Sequence, residues 1–156
     1  MTPEEAYEKC LKQGSRNLGL EPIILRDPEY TYCYARFVVK GRWPEGEQVI
    51  LRDTWLTYRY AQDVVKGRWE EGEPIILRGP EYTYWYARDV IKGRWAEGEA
   101  SILQSSEWSY WYARYMIKGR WPEGEEVILG SNWESNYCNH FGLKSCELVP
   151  KPDYIL

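Results

Sequence analysis

The only histidine in the sequence, His140, lies between two cysteines near the carboxyl end of the chain. Cys138, His140 and Cys146 could supply three ligands to a zinc ion, because thiolate and imidazole are donors that zinc prefers. Their spacing matches no standard zinc motif, and a fourth ligand would have to come from a distant part of the chain. A single histidine also excludes metal centres that need several histidines. The sequence therefore predicts no metal site and no cofactor.

A second candidate for chemistry is the stretch KGRWPEGE, from Lys40 to Glu47, which returns in three near-copies. Two carboxylates act as acid and base only if different surroundings separate their pKa values, and identical repeated surroundings do not. The stretch also lacks the preceding strand and the lysine–serine/threonine ending of a phosphate-binding loop. We interpret its glutamates as charges that complement helix dipoles and form ion pairs between repeats. No catalytic residue is predicted, and the protein is not expected to be an enzyme.

These stretches belong to a longer repeat with a period of 26 residues. A tyrosine–alanine pair and an isoleucine–leucine pair keep the same period. Repetition of this kind is typical of a solenoid, in which each unit buries its apolar face only against its neighbours. The apolar positions of each copy recur at helical spacing. We therefore predict an all-α fold, a short α-solenoid of two-helix repeats with a short helix A, a longer helix B and degenerate caps.

In the first copy, helix B is predicted to begin after Asp27, a residue favoured as a helix N-cap, with Pro28 at the first helical position. Lys40 lies in its last turn, and Gly41 is expected to adopt the left-handed conformation that ends many helices. Helix A is predicted to begin near Pro44. Its interior glycine should weaken it by about 1 kcal/mol, so that it forms only when packed between B helices. A short strand at the end of helix A is a less favoured alternative.

The ends of the chain depart from the repeat, as the caps of a solenoid should. At the amino end, Thr2 and Glu5 fit a capping box, and Gly14 is expected to end the helix. At the carboxyl end, the helix B register is expected to continue from Ser131 to Lys144. A single repeat domain is predicted, with an N-terminal cap and connector, tandem repeats and a C-terminal cap at residues 1–20, 21–130 and 131–156.

Positions that differ between copies are the better candidates for function, because stacking of identical units explains the invariant ones. The variable positions of helix B recur at a spacing of four, which places them on one face, turned away from the apolar stripe. We expect these faces to form one continuous surface that becomes more aromatic toward the carboxyl end, as is typical of a partner-binding site. Alternatively, the rings pack between adjacent B helices and leave little surface. The predicted partner-binding residues are Trp55, Arg59, Trp85, Asp89, Trp111, Tyr115, Trp133, Tyr137 and Phe141.

The formal net charge of -4 provides no attraction to a long nucleic acid or to an anionic membrane. The sequence has neither a bilayer-spanning apolar run nor a signal-peptide hydrophobic segment, and its cysteines do not form a disulfide framework. These features predict a cytoplasmic protein with free thiols. A small nucleotide held among aromatic rings and arginines is the main alternative to a protein partner, and a homo-oligomeric structural protein is a third hypothesis. The arginines concerned are Arg26, Arg36, Arg59, Arg88 and Arg114.

The segment DPEYTYCYARFVVKGRWPEGE, with its copies, resembles a tandem repeat of roughly the form D-P-E-[YW]-A-Y-x-Y-A-R-[DF]-V-I-K-G-R-W-P-E-[AG]-E. That repeat is found in largely uncharacterised proteins of bacteriophages, other large DNA viruses and bacteria. The resemblance extends from about Glu21 to Leu129, with threonine or serine replacing alanine at Thr31 and its copies. It implies a small helical-repeat protein encoded by a phage, and it transfers no catalytic residue. We hypothesise that the protein binds and blocks a host protein, such as a component of an antiviral defence system, in the host cytoplasm.

Overall fold

The computed structural model describes residues 1–148, apart from the side chain of Cys146. Every regular element in this part of the chain is a helix, and no strand occurs in it. The all-α repeat fold is therefore confirmed, and the alternative of a strand in each copy is wrong. The helices form two compact units, the first from Met1 to Ile76 and the second from Leu77 onward. None of the helices in residues 1–148 has both the length and the apolar character needed to cross a bilayer.

Helices of type A and type B alternate within each unit, and the B helices are longer only because a π turn continues each of them. The helices of the first unit are α1 (Pro3–Gln13), α2 (Glu21–Ile24), α3 (Pro28–Tyr34), α4 (Pro44–Ile50), α5 (Thr54–Tyr60) and α6 (Glu73–Ile76). Those of the second unit are α7 (Pro80–Tyr86), α8 (Ala96–Ile102), α9 (Ser106–Tyr112), α10 (Pro122–Ile128) and α11 (Glu134–Phe141), followed by a 3-10 turn at Ser145–Glu147. Helices α3, α5, α7 and α9 are the B helices, and each continues directly into a π turn at Ala35–Val39, Ala61–Val65, Ala87–Ile91 and Ala113–Ile117.

The starts of the helices follow the predicted capping chemistry. In α1, Thr2 and Glu5 form a reciprocal capping box, and Gly14 ends the helix in the left-handed conformation with φ 67°. In α3, the Asp27 carboxylate accepts a hydrogen bond from the backbone N–H of Glu29 at 2.9 Å. These contacts satisfy N–H groups that have no partner inside the helix. The equivalent side-chain caps of α5 and α9 are Asp53 and Ser105.

The ends of the B helices differ from the prediction. Lys40, and not Gly41, adopts the left-handed conformation, with φ 58°. The last turn is a π turn, closed by a hydrogen bond from the Lys40 N–H to the carbonyl of Ala35, so the chain reverses one residue earlier than expected. A side chain in this conformation costs about 1–2 kcal/mol, which the surrounding structure must offset. The other copies repeat this ending at Lys66, Lys92 and Lys118.

A buried tryptophan joins each B helix to the next A helix. Trp43 has no exposed surface, and its ring centroid lies 4.8 Å from that of Tyr34. The other edge of the indole lies against Gly46 of α4, where an added Cβ would come within 2.5 Å of Trp43 Cε3 and 2.8 Å of Thr31 Cγ2. The interior glycine of helix A therefore lets the helix approach the indole closely. The other three tryptophans at this position are Trp69, Trp95 and Trp121.

A buried hydroxyl links the B helices α3, α5 and α9 to the A helix before each of them. The Thr31 hydroxyl lies 3.1 Å from the carbonyl oxygen of Ile24, at the end of α2, and 2.7 Å from that of Asp27. The Thr57 hydroxyl makes the same two contacts with Ile50 and Asp53. Alanine has no hydroxyl and could not donate to these carbonyl groups. The threonine at this position therefore adds hydrogen bonds that the carbonyl groups at the helix ends would otherwise lack.

The most polar part of the core is a repeated contact between arginine, glutamate and tyrosine. The Glu47 carboxylate accepts two hydrogen bonds from the Arg42 guanidinium, at 2.8 and 2.9 Å. The Tyr60 hydroxyl, from the next repeat, donates to Glu47 at 3.0 Å and accepts from the backbone N–H of Trp43 at 2.8 Å. One carboxylate and one hydroxyl thus connect two successive repeats. The same arrangement occurs at Arg16, Glu21 and Tyr34, at Arg94, Glu99 and Tyr112, and at Arg120, Glu125 and Tyr137.

The approach of the indole to helix A can be tested with Gly98→Ala. A Cβ there would come within 2.6 Å of Trp95 Cε3 and 2.8 Å of Thr83 Cγ2, so we expect the free energy of unfolding to fall by about 1–3 kcal/mol. Urea denaturation followed by circular dichroism measures the change. The matched control is Gly93→Ala, where a Cβ meets no atom within 4 Å and the free energy should change by less than about 0.5 kcal/mol. Equal effects of the two substitutions would contradict the close packing.

The buried hydroxyls predict a loss of stability in alkali. Burial raises the pKa of Tyr34 to about 12, and burial raises the pKa of Tyr60, Tyr112 and Tyr137 in the same direction. An unfolded tyrosine titrates near 10, so between about pH 10 and 12 the folded protein binds more protons than the unfolded chain. The contribution of these tyrosines to the free energy of unfolding is therefore complete below about pH 10, and it is lost as the pH rises toward their pKa values in the folded protein.

Urea denaturation at a series of pH values from about 9 to 12 should therefore show a falling free energy of unfolding. Tyr34→Phe should make this fall shallower, because it removes one of the titrating groups. A free energy that stays constant over this range would contradict the prediction.

Candidate partner-binding face

The possible zinc ligands Cys138 and His140 lie in different surroundings. Cys138 is buried, His140 is exposed, and the side chain of Cys146 lies outside the described residues. Cys10, Cys33 and Cys138 are free cysteines. Among the residues that the structure describes, no three histidine, cysteine or acidic side chains lie close enough to hold a metal ion.

The repeated glutamates share one environment, which is structural. Burial alone would raise the pKa of Glu21, but hydrogen bonds from Arg16 and Tyr34 outweigh burial and hold the pKa below its usual value. Carboxylates held in the same way in successive copies are not separated into an acid and a base. Their hydrogen bonds connect neighbouring repeats, in agreement with the predicted ion pairs. This leaves the variable positions of the B helices as the candidate functional residues.

In the first unit, the predicted face carries one exposed ring and a compensated group of charges. Trp55 is 42% exposed, and the Arg59 guanidinium carbon lies 5.3 Å from its ring centroid. Asp63 accepts hydrogen bonds from Arg59 at 2.6 Å and from Arg36 at 2.7 Å. The Tyr32 hydroxyl donates to the same carboxylate oxygen at 2.6 Å. Burial alone would raise the pKa of Asp63, but the hydrogen bonds from Tyr32 and Arg59 outweigh burial and lower it.

An open cavity of about 500 Å³ lies beside Trp55, between the starts of α3 and α5. Two of its acidic side chains, Asp27 and Asp53, already accept hydrogen bonds as helix caps. The cavity is thus a groove between two helix ends that Trp55 borders. Its lining residues are Asp27, Pro28, Glu29, Asp53, Trp55 and Leu56.

In the second unit, α7 contributes Trp85, and the π turn that follows it contributes Asp89. The Trp85 ring is half-buried. It packs edge-to-face against the Trp108 ring of α9, with ring centroids 6.3 Å apart. Asp89 is held by Arg88 through two hydrogen bonds of 2.7 Å. This part of the face therefore combines ring packing with a paired charge, as the first unit does.

The densest group of rings lies on α9 and α11. We call Tyr110, Trp111, Tyr115 and Trp133 the aromatic cluster. Trp111 stacks on Tyr115 with centroids 5.7 Å apart, and it meets Trp133 at 5.6 Å. Trp133 stacks on Tyr110 at 5.4 Å. Tyr110 is buried and Tyr115 is 45% exposed, while both tryptophans are half-buried. The rings of this cluster therefore pack between helices and still leave part of their aromatic surface exposed.

Arg114 lies over this cluster. Its guanidinium carbon is 5.1 Å from the ring centroid of Tyr115 and 5.8 Å from that of Trp111. One guanidinium nitrogen lies 2.7 Å from the Tyr110 hydroxyl and donates to it. Positions near two aromatic faces are favourable for a cation. Arg114 is therefore the positively charged member of an otherwise aromatic surface.

Tyr137 was predicted on this face, and that prediction is wrong. Its side chain has no exposed surface. Its hydroxyl donates to Glu125 at 2.8 Å and accepts from the backbone N–H of Trp121 at 2.9 Å, which is the structural role of Tyr112 one repeat earlier. Tyr137 follows Tyr112 by one residue less than the repeat period. The register of α11 is therefore shifted by one residue, and the predicted continuation of helix B from Ser131 is also wrong.

Two further observations explain the shift. Trp133 packs on Tyr110 as Trp108 packs on Tyr84, at 5.4 and 5.2 Å, although it also comes one residue early. Leu129 leaves α10 in an extended conformation, and Gly130 follows with φ 77°. This path differs from the one after α4 and α8, where the chain stays in the right-handed helical region. Phe141 remains half-buried beside Tyr137, with ring centroids 4.6 Å apart.

Two aromatic members of the site, Trp108 and Tyr110, were missed by sequence reasoning. Trp108 lies three residues before Trp111, at a position that holds tyrosine or leucine in the other copies and is not among the predicted binding residues. The change to tryptophan in this one copy was the available signal. Tyr110 belongs to an invariant tyrosine column and gave no signal of its own.

Comparisons with known proteins were made for the whole chain. No protein-family model, no curated protein and no solved structure matches it. The resemblance to viral and bacterial tandem repeats therefore stays a prediction.

The shifted register can be tested with Tyr137→Phe. The substitution leaves the buried Glu125 carboxylate and the Trp121 N–H each with one hydrogen bond fewer, so the free energy of unfolding should fall by about 1–3 kcal/mol. The control Tyr115→Phe removes an exposed hydroxyl and should change it by less than about 0.5 kcal/mol. Denaturation in urea measures both. If Tyr137→Phe were as mild as the control, Tyr137 would belong on the surface.

Proposed function

We propose that this protein is a non-catalytic binding protein that engages a protein partner through the aromatic cluster of its second unit. The observation that carries the proposal is the group of half-exposed rings around Trp111, with the Arg114 guanidinium over them. Tryptophan, tyrosine and arginine are the residues that contribute most to binding energy in protein interfaces. Rings already fixed by their neighbours also lose little conformational entropy when a partner covers them.

The invariant residues support the same proposal indirectly. The repeated tryptophans, threonines, glutamates and tyrosines are all used in packing or in hydrogen bonds between helices. Their roles explain their constancy without any partner. The residues that differ between copies gather the exposed rings, so selection for binding is the simplest reason for their differences.

We further propose that the protein is encoded by a phage and blocks a host protein, such as a component of an antiviral defence system, in the host cytoplasm. The resemblance of the repeat to those of viral and bacterial proteins supports this part of the proposal. A partner bound to a rigid aromatic surface could be blocked without any covalent chemistry, which suits a protein with no predicted catalytic group.

The binding proposal can be tested with the triple substitution Trp85→Ala, Trp111→Ala and Tyr115→Ala. The protein is immobilised, and proteins captured from bacterial lysates are quantified by mass spectrometry. The affinity of each purified candidate is then measured by calorimetry. We expect the triple variant to bind at least about 30-fold more weakly, since removing interface hot spots costs about 2 kcal/mol or more.

The matched control is Trp55→Ala, which removes an exposed tryptophan from the first unit and should leave the affinity unchanged. Far-ultraviolet circular dichroism must show the same helix content in all variants. A partner that binds the triple variant as tightly as the wild type would refute the assignment of the face. A partner that binds Trp55→Ala more weakly than it binds the triple variant would place the interface on the first unit instead.

A small nucleotide is a second candidate ligand, because Arg114 beside half-exposed rings could meet a phosphate while a base stacks on the indole. This alternative predicts that a nucleotide raises the melting temperature and that Arg114→Gln abolishes the rise. A panel of nucleotides that leaves the melting temperature unchanged would exclude it.

A further inference from the structure

We propose that Arg114 binds a side-chain carboxylate of the protein partner, which supplies the negative charge that the chain itself supplies to the equivalent residues Arg36 and Arg88. The inference rests on the proposed function and names the chemistry that the partner must present: an aspartate or glutamate beside an apolar or aromatic residue.

The first unit shows how an arginine in this column is normally neutralised. Arg36 uses one guanidinium nitrogen for two contacts, with the Tyr32 hydroxyl at 2.7 Å and with Asp63 at 2.7 Å. Tyr32 is four residues before Arg36 on the same helix, and Asp63 comes from the next B helix. The tyrosine therefore fixes the guanidinium, and the carboxylate completes its hydrogen bonds.

The second unit shows a variation with the same result. Arg88 occupies the equivalent position in the π turn after α7, and its carboxylate partner is the adjacent Asp89, with two hydrogen bonds of 2.7 Å. In both units the positive charge beside the rings is thus compensated by an aspartate. The aspartate comes from the next helix in one case and from the same helix in the other.

Arg114 keeps half of this arrangement. It donates to the Tyr110 hydroxyl at 2.7 Å, as Arg36 does to Tyr32, so the guanidinium is fixed in the same way. Among the described residues, however, it forms no ion pair with a carboxylate. Tyr115 stands where Asp89 stands in the previous copy. Phe141, 27 residues after Arg114, stands where Asp63 stands relative to Arg36, and the shifted register would bring His140 there instead.

Both replacements change the site in the same direction. An acidic neighbour has become an aromatic one on the helix of Arg114, and the following helix also offers no carboxylate at the equivalent position. The guanidinium lies near the faces of Tyr115 and Trp111, at 5.1 and 5.8 Å, an arrangement that leaves donors at its edge for a bidentate acceptor. A planar carboxylate has the geometry and the charge to fill that position.

The surrounding rings decide how much the pair would contribute. An arginine–carboxylate pair in open water contributes little, because solvent screens it. When a partner covers Trp111, Tyr115 and Trp133, water is removed from the pair and the interaction strengthens. The carboxylate would then provide specificity, and the apolar residues next to it would provide most of the affinity.

The test uses the full chain with Asp153→Asn as background, since Asp153 is the one acidic side chain outside the described residues. The probes are the peptide acetyl-Gly-Asp-Trp-Gly-amide, its asparagine counterpart and inorganic phosphate. Nuclear magnetic resonance follows the Nε–Hε signal of Arg114 during titration to about 10 mM, a range suited to weak binding. We expect the aspartate peptide to shift the signal saturably and to bind at least about tenfold more tightly than the asparagine peptide.

The decisive variant is Tyr115→Asp, which restores the acidic residue of the previous copy. It should occupy the guanidinium and abolish the response to the aspartate peptide, whereas Tyr115→Phe should preserve it. Equal responses to the aspartate and asparagine peptides, no response to either, or a response to phosphate alone would each overturn the inference. So would a response that persists in Tyr115→Asp.

Binding of a purified partner separates this inference from the proposed function. Loss of binding in both the triple alanine variant and Arg114→Gln, with retention in Tyr115→Phe, supports both proposals. Loss in the triple variant with full retention in Arg114→Gln overturns the carboxylate site and leaves the aromatic interface in place. Retention in the triple variant overturns the interface itself.

Discussion

A buried glutamate is the constraint on which the repeat depends. A carboxylate taken out of water is costly unless it is paired and hydrogen-bonded, and Glu47 meets this requirement with Arg42 on one side and Tyr60 on the other. The requirement fixes three elements at once. Arg42 must leave the end of helix B, Glu47 must lie in the first turns of helix A, and Tyr60 must come from the next helix B. The backbone N–H of Trp43 donates to the Tyr60 hydroxyl, and this hydrogen bond sets the path of the connecting turn.

The helix pattern and its N-terminal boundaries could be predicted because they depend on local chemistry. Thr2 and Asp27 cap their helices through side chains only a few residues from the groups they satisfy. The C-terminal boundaries of the B helices could not be predicted in the same way. A glycine after a lysine normally marks the left-handed residue, but the π turn moves that conformation to Lys40. One additional residue in a turn leaves no trace in hydrophobic periodicity.

The candidate site was predictable to the extent that it follows from comparing copies. Trp55, Trp85, Trp111, Tyr115 and Trp133 retain exposed or half-exposed rings, as the variable columns indicated. The prediction for Tyr137 was wrong because it depended on a constant period, whereas a left-handed turn at Gly130 shortens the connection before α11. Whether a ring is exposed or packed also depends on its partner on the neighbouring helix. Trp133 and Tyr110 illustrate this, because neither residue alone indicates that they stack.

At each end of the array, a cap residue completes the contact between arginine, glutamate and tyrosine in place of a repeat residue. At the amino end, the N–H of Asn17 takes the place of a tryptophan N–H against Tyr34, and at the carboxyl end Tyr137 reaches Glu125 from a shifted helix. A terminal segment therefore needs to provide only one suitable hydrogen-bonding group at this contact. The number of copies is then free to change in evolution by duplication or loss of whole repeats, because each new repeat would bring its own arginine, glutamate and tyrosine. Within such a lineage the aromatic and acidic positions could diverge copy by copy, so that the length of the array and the choice of partner would evolve independently.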